Sequence, residues 1–156
     1  MEKLENIIKT QTTKRNNFHW INKEVNIVNS SKFYGDFGPE IMLGKSCSES
    51  YSLTDGNRNH FLELSFIKTY YLKSIRIKVS DYECSFKTFR VELIKENGDR
   101  INFGEFIRST YNDNKDFQEF EINNECKGIK LYLIDNWGSY GGNCILITRI
   151  EFNVSD

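Results

Sequence analysis

Apolar and polar side chains alternate twice over in the last part of the chain. Ile129, Leu131 and Leu133 fall on one side and Lys130, Tyr132 and Ile134 on the other, the period-two pattern of a half-buried strand. A second alternation sets Cys144, Leu146, Thr148, Ile150 and Phe152 against Ile145, Ile147, Arg149 and Glu151. Between them lies Asp135–Asn143, rich in the Gly and Asn that punctuate strands, and carrying Trp137 and Tyr140. The pattern predicts two long strands joined as a hairpin that closes a β-sandwich.

The same period recurs upstream. His60–Phe66 turns Leu62, Leu64 and Phe66 inward and Glu63 and Ser65 outward. Tyr71–Val79 does so with Ile75, Ile77 and Val79 against Arg76 and Lys78, and Phe86–Ile94 with Phe89, Val91 and Leu93 against Arg90 and Glu92. Asn97-Gly98 predicts a tight hairpin turn into a strand over Ile101–Phe106. Asp116–Ile122 turns Phe120 and Ile122 inward, and Glu24–Val28 reads as a short early strand. Gly44–Asn59 reads as a long polar loop turning at Asp55-Gly56. Leu4, Ile7 and Ile8 have helical spacing over about two turns. The expected fold is therefore all-β: an antiparallel β-sandwich of jelly-roll type with a short N-terminal helical segment. The expected division is a helical or linker segment over residues 1–22 and one sandwich domain over 23–156.

Composition narrows the function classes. The chain has 156 residues, 38% of them hydrophobic, enough for one domain with its own core. A formal net charge of -1 argues against nucleic acid, which calls for a basic surface. No apolar run is long enough for membrane insertion as a helix. The first residues lack the apolar stretch of a signal peptide, so the expected setting is intracellular and cytoplasmic, or a module within a longer protein. Cys47, Cys84, Cys126 and Cys144 are widely spaced with no CxxC pair, which predicts thiols and not a zinc site.

No catalytic constellation is visible. His19 and His60 stand outside any GxSxG or HExxH motif. Gly141 and Gly142 lack the following helix that a phosphate loop uses. Asn112, Asp113, Asn114 and Asp116 have the side-chain types of hard-cation ligands at unspecific spacing, which also suits a solvated turn, so no cofactor is expected.

If successive strands run up and down, the loops before His60, after Val79, after Phe106 and after Ile134 emerge at one end. The short connections at Lys68-Thr69, Asn97-Gly98 and Asn123-Asn124 emerge at the other. The long loops carry Tyr51, Arg58, Tyr82, Tyr111, Trp137 and Tyr140, residue types enriched at binding hot spots, on a rigid scaffold. Asn136 and Asn143 add amides beside Trp137.

The strand order resembles the galactose-binding-like jelly roll, the superfamily of the discoidin (coagulation factor 5/8 type C) domains. The matching pieces run from FLELSF at Phe61 through YLKSIRIKV at Tyr71 and FKTFRVELIKENGDR at Phe86. FQEFEI at Phe117, KGIKLYLIDNW at Lys127 and ILITRIEFNV at Ile145 complete the order, with Arg149, Ile150, Glu151 and Phe152 fitting the family's closing strand. The C-terminal part is also similar to the SUN domain, through GEF at Gly104, FQEF at Phe117, NWG at Asn136 and the run from Cys144.

The first functional reading is a non-enzymatic module that docks a protein or peptide within a larger assembly; SUN domains bind peptides of partner membrane proteins. The alternative, implied by discoidin-like relatives, is a lectin-like module that binds a glycan by stacking it on Trp137 beside Asn136 and Asn143. A structural calcium in a loop is a further implication of that resemblance. A jelly-roll hydrolase would need a carboxylate pair or metal that the sequence does not identify.

Overall fold

The computed structural model describes residues 17–45, 51–55, 59–78, 86–107, 117–136 and 144–156. Among these the strands are β1 (His19–Ile21), β2 (Asn26–Ser30), β3 (Ser52–Leu53), β4 (His60–Lys78), β5 (Phe86–Ile94), β6 (Arg100–Ile107), β7 (Gln118–Asn136), β8 (Leu146–Ile147) and β9 (Arg149–Ser155). Every pairing between them is antiparallel. The main sheet runs β1-β9-β4-β7-β5-β6, with β2 on β4, and β3 pairs with β8.

Two long strands shape the domain. β4 and β7 pair along their length, but the register breaks between Ser65 and Tyr70, opposite Gly128 and Cys126. Before the break, β4 pairs with β2 and the end of β7, which pairs with β5; after it, β4 pairs with β9 and the start of β7. The strands thus fold over a corner and serve both layers of the sandwich. Gly128 is needed there: a Cβ on it would stand 2.5 Å from the Leu64 carbonyl oxygen. The inward residues read from the alternation fill the space between the layers. Phe89 on β5 meets Phe120 on the first half of β7 edge to face at 5.0 Å, and Phe66 meets Phe152 at 5.5 Å.

Several expectations change. The helical segment falls largely on residues 1–16, outside the described residues; His19–Ile21, within the expected 1–22 segment, is instead a strand on β9. The expected strand pairs at 60–66/71–79 and 116–122/127–134 are continuous strands, because the chain bends over the corner through an irregularity at Ser65–Tyr70 and resumes the same pairing without a turn. The C-terminal stretch does not form a hairpin with β7: β4 lies between β7 and β9. It also splits at Thr148, with β8 leaving to pair with β3. β3 lies in the expected loop 44–59, where buried hydroxyls replace apolar alternation: Ser52 Oγ donates to the Gly38 carbonyl, and Thr54 Oγ1 accepts from Ile145 N–H. The early strand begins at Asn26, two residues later than expected. The Asn97-Gly98 turn stands as expected, with Gly98 at φ 92° and Lys95 N–H donating to Asp99 O at 2.8 Å.

Candidate functional site

The strand ends that flank the long connections converge. Phe86 pairs with Asn136 and Thr88 with Ile107, while His60 pairs with Leu133. Ile77 pairs with Gln118 and Lys78 with Arg149. The 95–99 turn lies far from them, its Lys95 Nζ donating to Asn124 Oδ1 and Glu125 O near the corner. The residues flanking 137–143 are joined directly: Asn136 Nδ2 donates to Cys144 O at 2.8 Å.

At the loop end, on the outer face of β4, β7 and β5, lies a cleft of about 670 Å³. That lies within the usual size of small-ligand sites. Its walls include Asn59, Phe61, Arg90, Tyr132, Asp135 and Asn136. Register brings them together: Phe61 is opposite Tyr132, and Tyr132 is opposite Arg90, so one row crosses three strands. These are outward positions of the alternation, half-buried by their neighbours. The Arg90 guanidinium carbon lies 4.0 Å from the Tyr132 ring centre. Asp135 caps the row's end, accepting from Thr88 N–H at 3.0 Å.

The next row sets Glu63, Lys130 and Glu92 side by side. Its acids are taken by Arg100, whose Nη1 donates to Glu63 Oε1 at 2.7 Å and to Glu92 Oε1 at 3.0 Å. Those bonds, Glu63 first, raise the Arg100 guanidinium above its ordinary value. Glu92 also accepts from the Tyr132 hydroxyl at 3.4 Å. Lys130 Nζ sits 4.5 Å from the Phe61 ring centre and 4.8 Å from that of Tyr132.

His60 borders the cleft through its strand but turns its side chain inward, and it is buried. Its Nδ1 is 3.3 Å from Ser31 Oγ and its Nε2 3.9 Å from Asp55 Oδ1. The residue types are those of a hydrolase triad, but the geometry is that of a structural clamp. Ser31 Oγ accepts from Phe61 N–H at 2.9 Å and lies 3.3 Å from Phe61 O. Its hydroxyl is thereby engaged by the β4 backbone, whereas a nucleophile is left poised toward a substrate.

Of the residues singled out from sequence, Asn136 is on the cleft wall. Tyr51 packs against the core, stacked on Phe37 at 5.3 Å. Trp137, Tyr140, Asn143, Arg58, Tyr82 and Tyr111 lie outside the described residues, as does the Asn112–Asp116 cluster considered for calcium. Sequence reasoning missed Phe61, Arg90 and Tyr132. All three occupy outward strand positions, and only the cross-strand register shows that they form one row.

A family model described as Sad1 / UNC-like C-terminal matches residues 47–151. No curated protein sequence matches the chain. Solved structures similar to it include the CBM32-3 module of a family 31 glycoside hydrolase from Clostridium perfringens. Its TM-score is 0.73 at 7% identity, over 88% of this chain and 95% of that one. Another is the family 32 carbohydrate-binding module of NanJ from the same organism, in complex with galactose: TM-score 0.71, 14% identity, 87% of this chain and 98% of that one. A third is the family 32 module of EndoD from Streptococcus pneumoniae, with TM-score 0.68 and 11% identity over 86% and 98% of the two chains. The fold is therefore the galactose-binding-like jelly roll.

Proposed function

The chain belongs to the Sad1/UNC-like C-terminal family, and we propose that it is a non-catalytic binding module whose ligand is a saccharide held in the cleft at the loop end. The observation that carries this reading is the Phe61–Tyr132–Arg90 row bordered by Asn59, Asp135 and Asn136. A sugar presents apolar ring faces and many hydroxyls, and a cleft with aromatic walls and convergent amide, carboxylate and guanidinium groups answers both. Carbohydrate-binding modules with the same fold support the assignment. The Ser31 hydroxyl, engaged by the β4 backbone beside His60, supports a non-enzymatic role.

A glycan array followed by calorimetry tests the proposal. Binding to at least one glycan class should fall about tenfold or more in Tyr132→Ala, as for loss of a binding anchor. Asn97→Ala, in the turn at the far end, should bind as the parent does.

A protein or peptide partner is the second reading. Among the described residues β6 is an edge strand, paired on one side with β5, and it exposes Ile101 and Ile107 at 41% and 62%. Such an edge can accept a strand from another chain. Pulldown with wild type and an Ile107→Lys variant separates it from the glycan reading.

A further inference from the structure

We infer that the cleft selects acidic saccharides, those carrying a carboxylate such as a uronic or sialic acid; this rests on the saccharide reading above. This sheet face carries acids as well as cations, and acid selection rests on which of its groups are bonded to one another and which are not. Glu63 and Glu92 are both bonded to Arg100. Asp135 accepts from Thr88 N–H through Oδ1 and keeps its negative charge at the end of the cleft wall beyond Tyr132. Among the described residues, Arg90 and Lys130 are the cations that remain beside the cleft, and both rest on aromatic rings. Among the described residues neither makes an ion pair, although Glu105 is the cross-strand partner of Arg90 and Glu63 and Glu92 flank Lys130.

The other layer shows the contrast. There Arg76 lies 3.9 Å from the Trp20 ring centre but also bonds Glu151 through Nε at 2.7 Å. Arg90 has the aromatic support without the carboxylate. Contact with Tyr132 restrains the guanidinium and leaves its N–H donors for an acceptor in the cleft. A carboxylate, which takes two parallel N–H bonds, is the acceptor that matches this fork best. Lys130, in the adjacent row, adds a second positive charge next to the cleft, its Nζ over the rings of Phe61 and Tyr132. A neutral sugar would use these donors less fully, because a charge-assisted hydrogen bond is about twice as strong as a neutral one.

The test uses matched pairs on the full chain: galacturonic acid against its methyl ester, glucuronic acid against its methyl ester, and N-acetylneuraminic acid against its methyl ester. Calorimetry or ligand-observed NMR should show at least one acid bound about tenfold tighter than its ester, a preference that weakens with added salt. Arg90→Gln should collapse the acid-to-ester ratio towards one, Arg90→Lys should keep part of it, and Lys130→Gln should lower it separately. Melting temperatures confirm that the variants fold. If esters or neutral sugars bind as well as the acids, acid selection is overturned while the saccharide reading stands. If no sugar in a wide array binds, both fall.

Discussion

Arg90 and Tyr132 face each other across the β5–β7 pairing, and the guanidinium carbon of one lies 4.0 Å from the ring centre of the other. Cross-strand contacts of this kind contribute roughly 0.2–1 kcal/mol. The pair therefore adds little to a fold whose stability lies in the core. Its position on a cleft wall gives it a second use. Tyr132→Ala should lower the melting temperature by only a few degrees while removing most saccharide affinity, with calorimetry reading the first and titration the second. Equal losses in stability and binding would make the tyrosine a structural residue.

Leu131 is the inward neighbour of Tyr132 and is 1% exposed. Leu131→Asp would place an unpaired carboxylate in the core, at a cost of several kcal/mol. The variant should be unfolded or strongly destabilised by circular dichroism. A cooperative melt near that of the parent would mean that the β7 register is misassigned.

Gly128 tests the corner. Its Cβ would meet the backbone Leu64 carbonyl at 2.5 Å, an atom that cannot swing aside as a side chain does. Gly128→Ala should cost about 1–3 kcal/mol, the range of an overpacked site. Gly35→Ala, with nothing within 4 Å of the added methyl, should stay within about 0.5 kcal/mol of the parent in denaturant titration.

Burial pushes the Cys126 thiol up to about 12, more than the nearby Lys95 charge lowers it. Little thiolate forms at neutral pH, and an alkylating reagent should leave Cys126 unmodified in the native chain and modify it in denaturant. The sign of the pH effect follows. The unfolded chain ionises this thiol near its ordinary 9.0, before the folded chain does, so stability from this group is whole below that pH and declines as pH rises from there towards about 12. Rapid native labelling of Cys126, read by mass spectrometry, would contradict this.

Much of the fold was legible because strand alternation is a one-dimensional signal. The inward sides of β4, β5 and β7, from Leu62 to Leu133, follow from it directly. The convergence of the strand ends that flank the long connections is what counting strands leads one to expect. What the pattern does not carry is pairing. Nothing in the alternation of Ile150 and Phe152 says that β4 lies between β9 and β7. The corner at Ser65–Tyr70 reads as a connection because Lys68-Thr69 interrupt the alternation, with Ile67 turned out to solvent. The same limit hid the cleft: Phe61, Arg90 and Tyr132 are separated by dozens of residues and join only through register. The sequence-based choice fell on Trp137 and Tyr140 because aromatics in Gly-rich loops stand out in one dimension.

Those two residues enter the proposal through Asn136, which lies on the cleft wall and leads directly into 137–143. We expect Trp137→Ala and Tyr140→Ala each to weaken saccharide binding by roughly thirtyfold, a loss of about 2 kcal/mol, with the melting temperature near that of the parent. Unchanged affinity in both would confine the site to the strand row.

The most direct test of the cleft as a saccharide site is a two-dimensional amide NMR titration of the isotope-labelled chain with the best glycan from an array. The predicted result is a saturable shift confined to amides around Asn59, Phe61, Arg90, Tyr132, Asp135 and Asn136, with the Lys95–Asp99 turn unmoved. Shifts that cluster along Arg100–Ile107, or none at millimolar glycan, would contradict it.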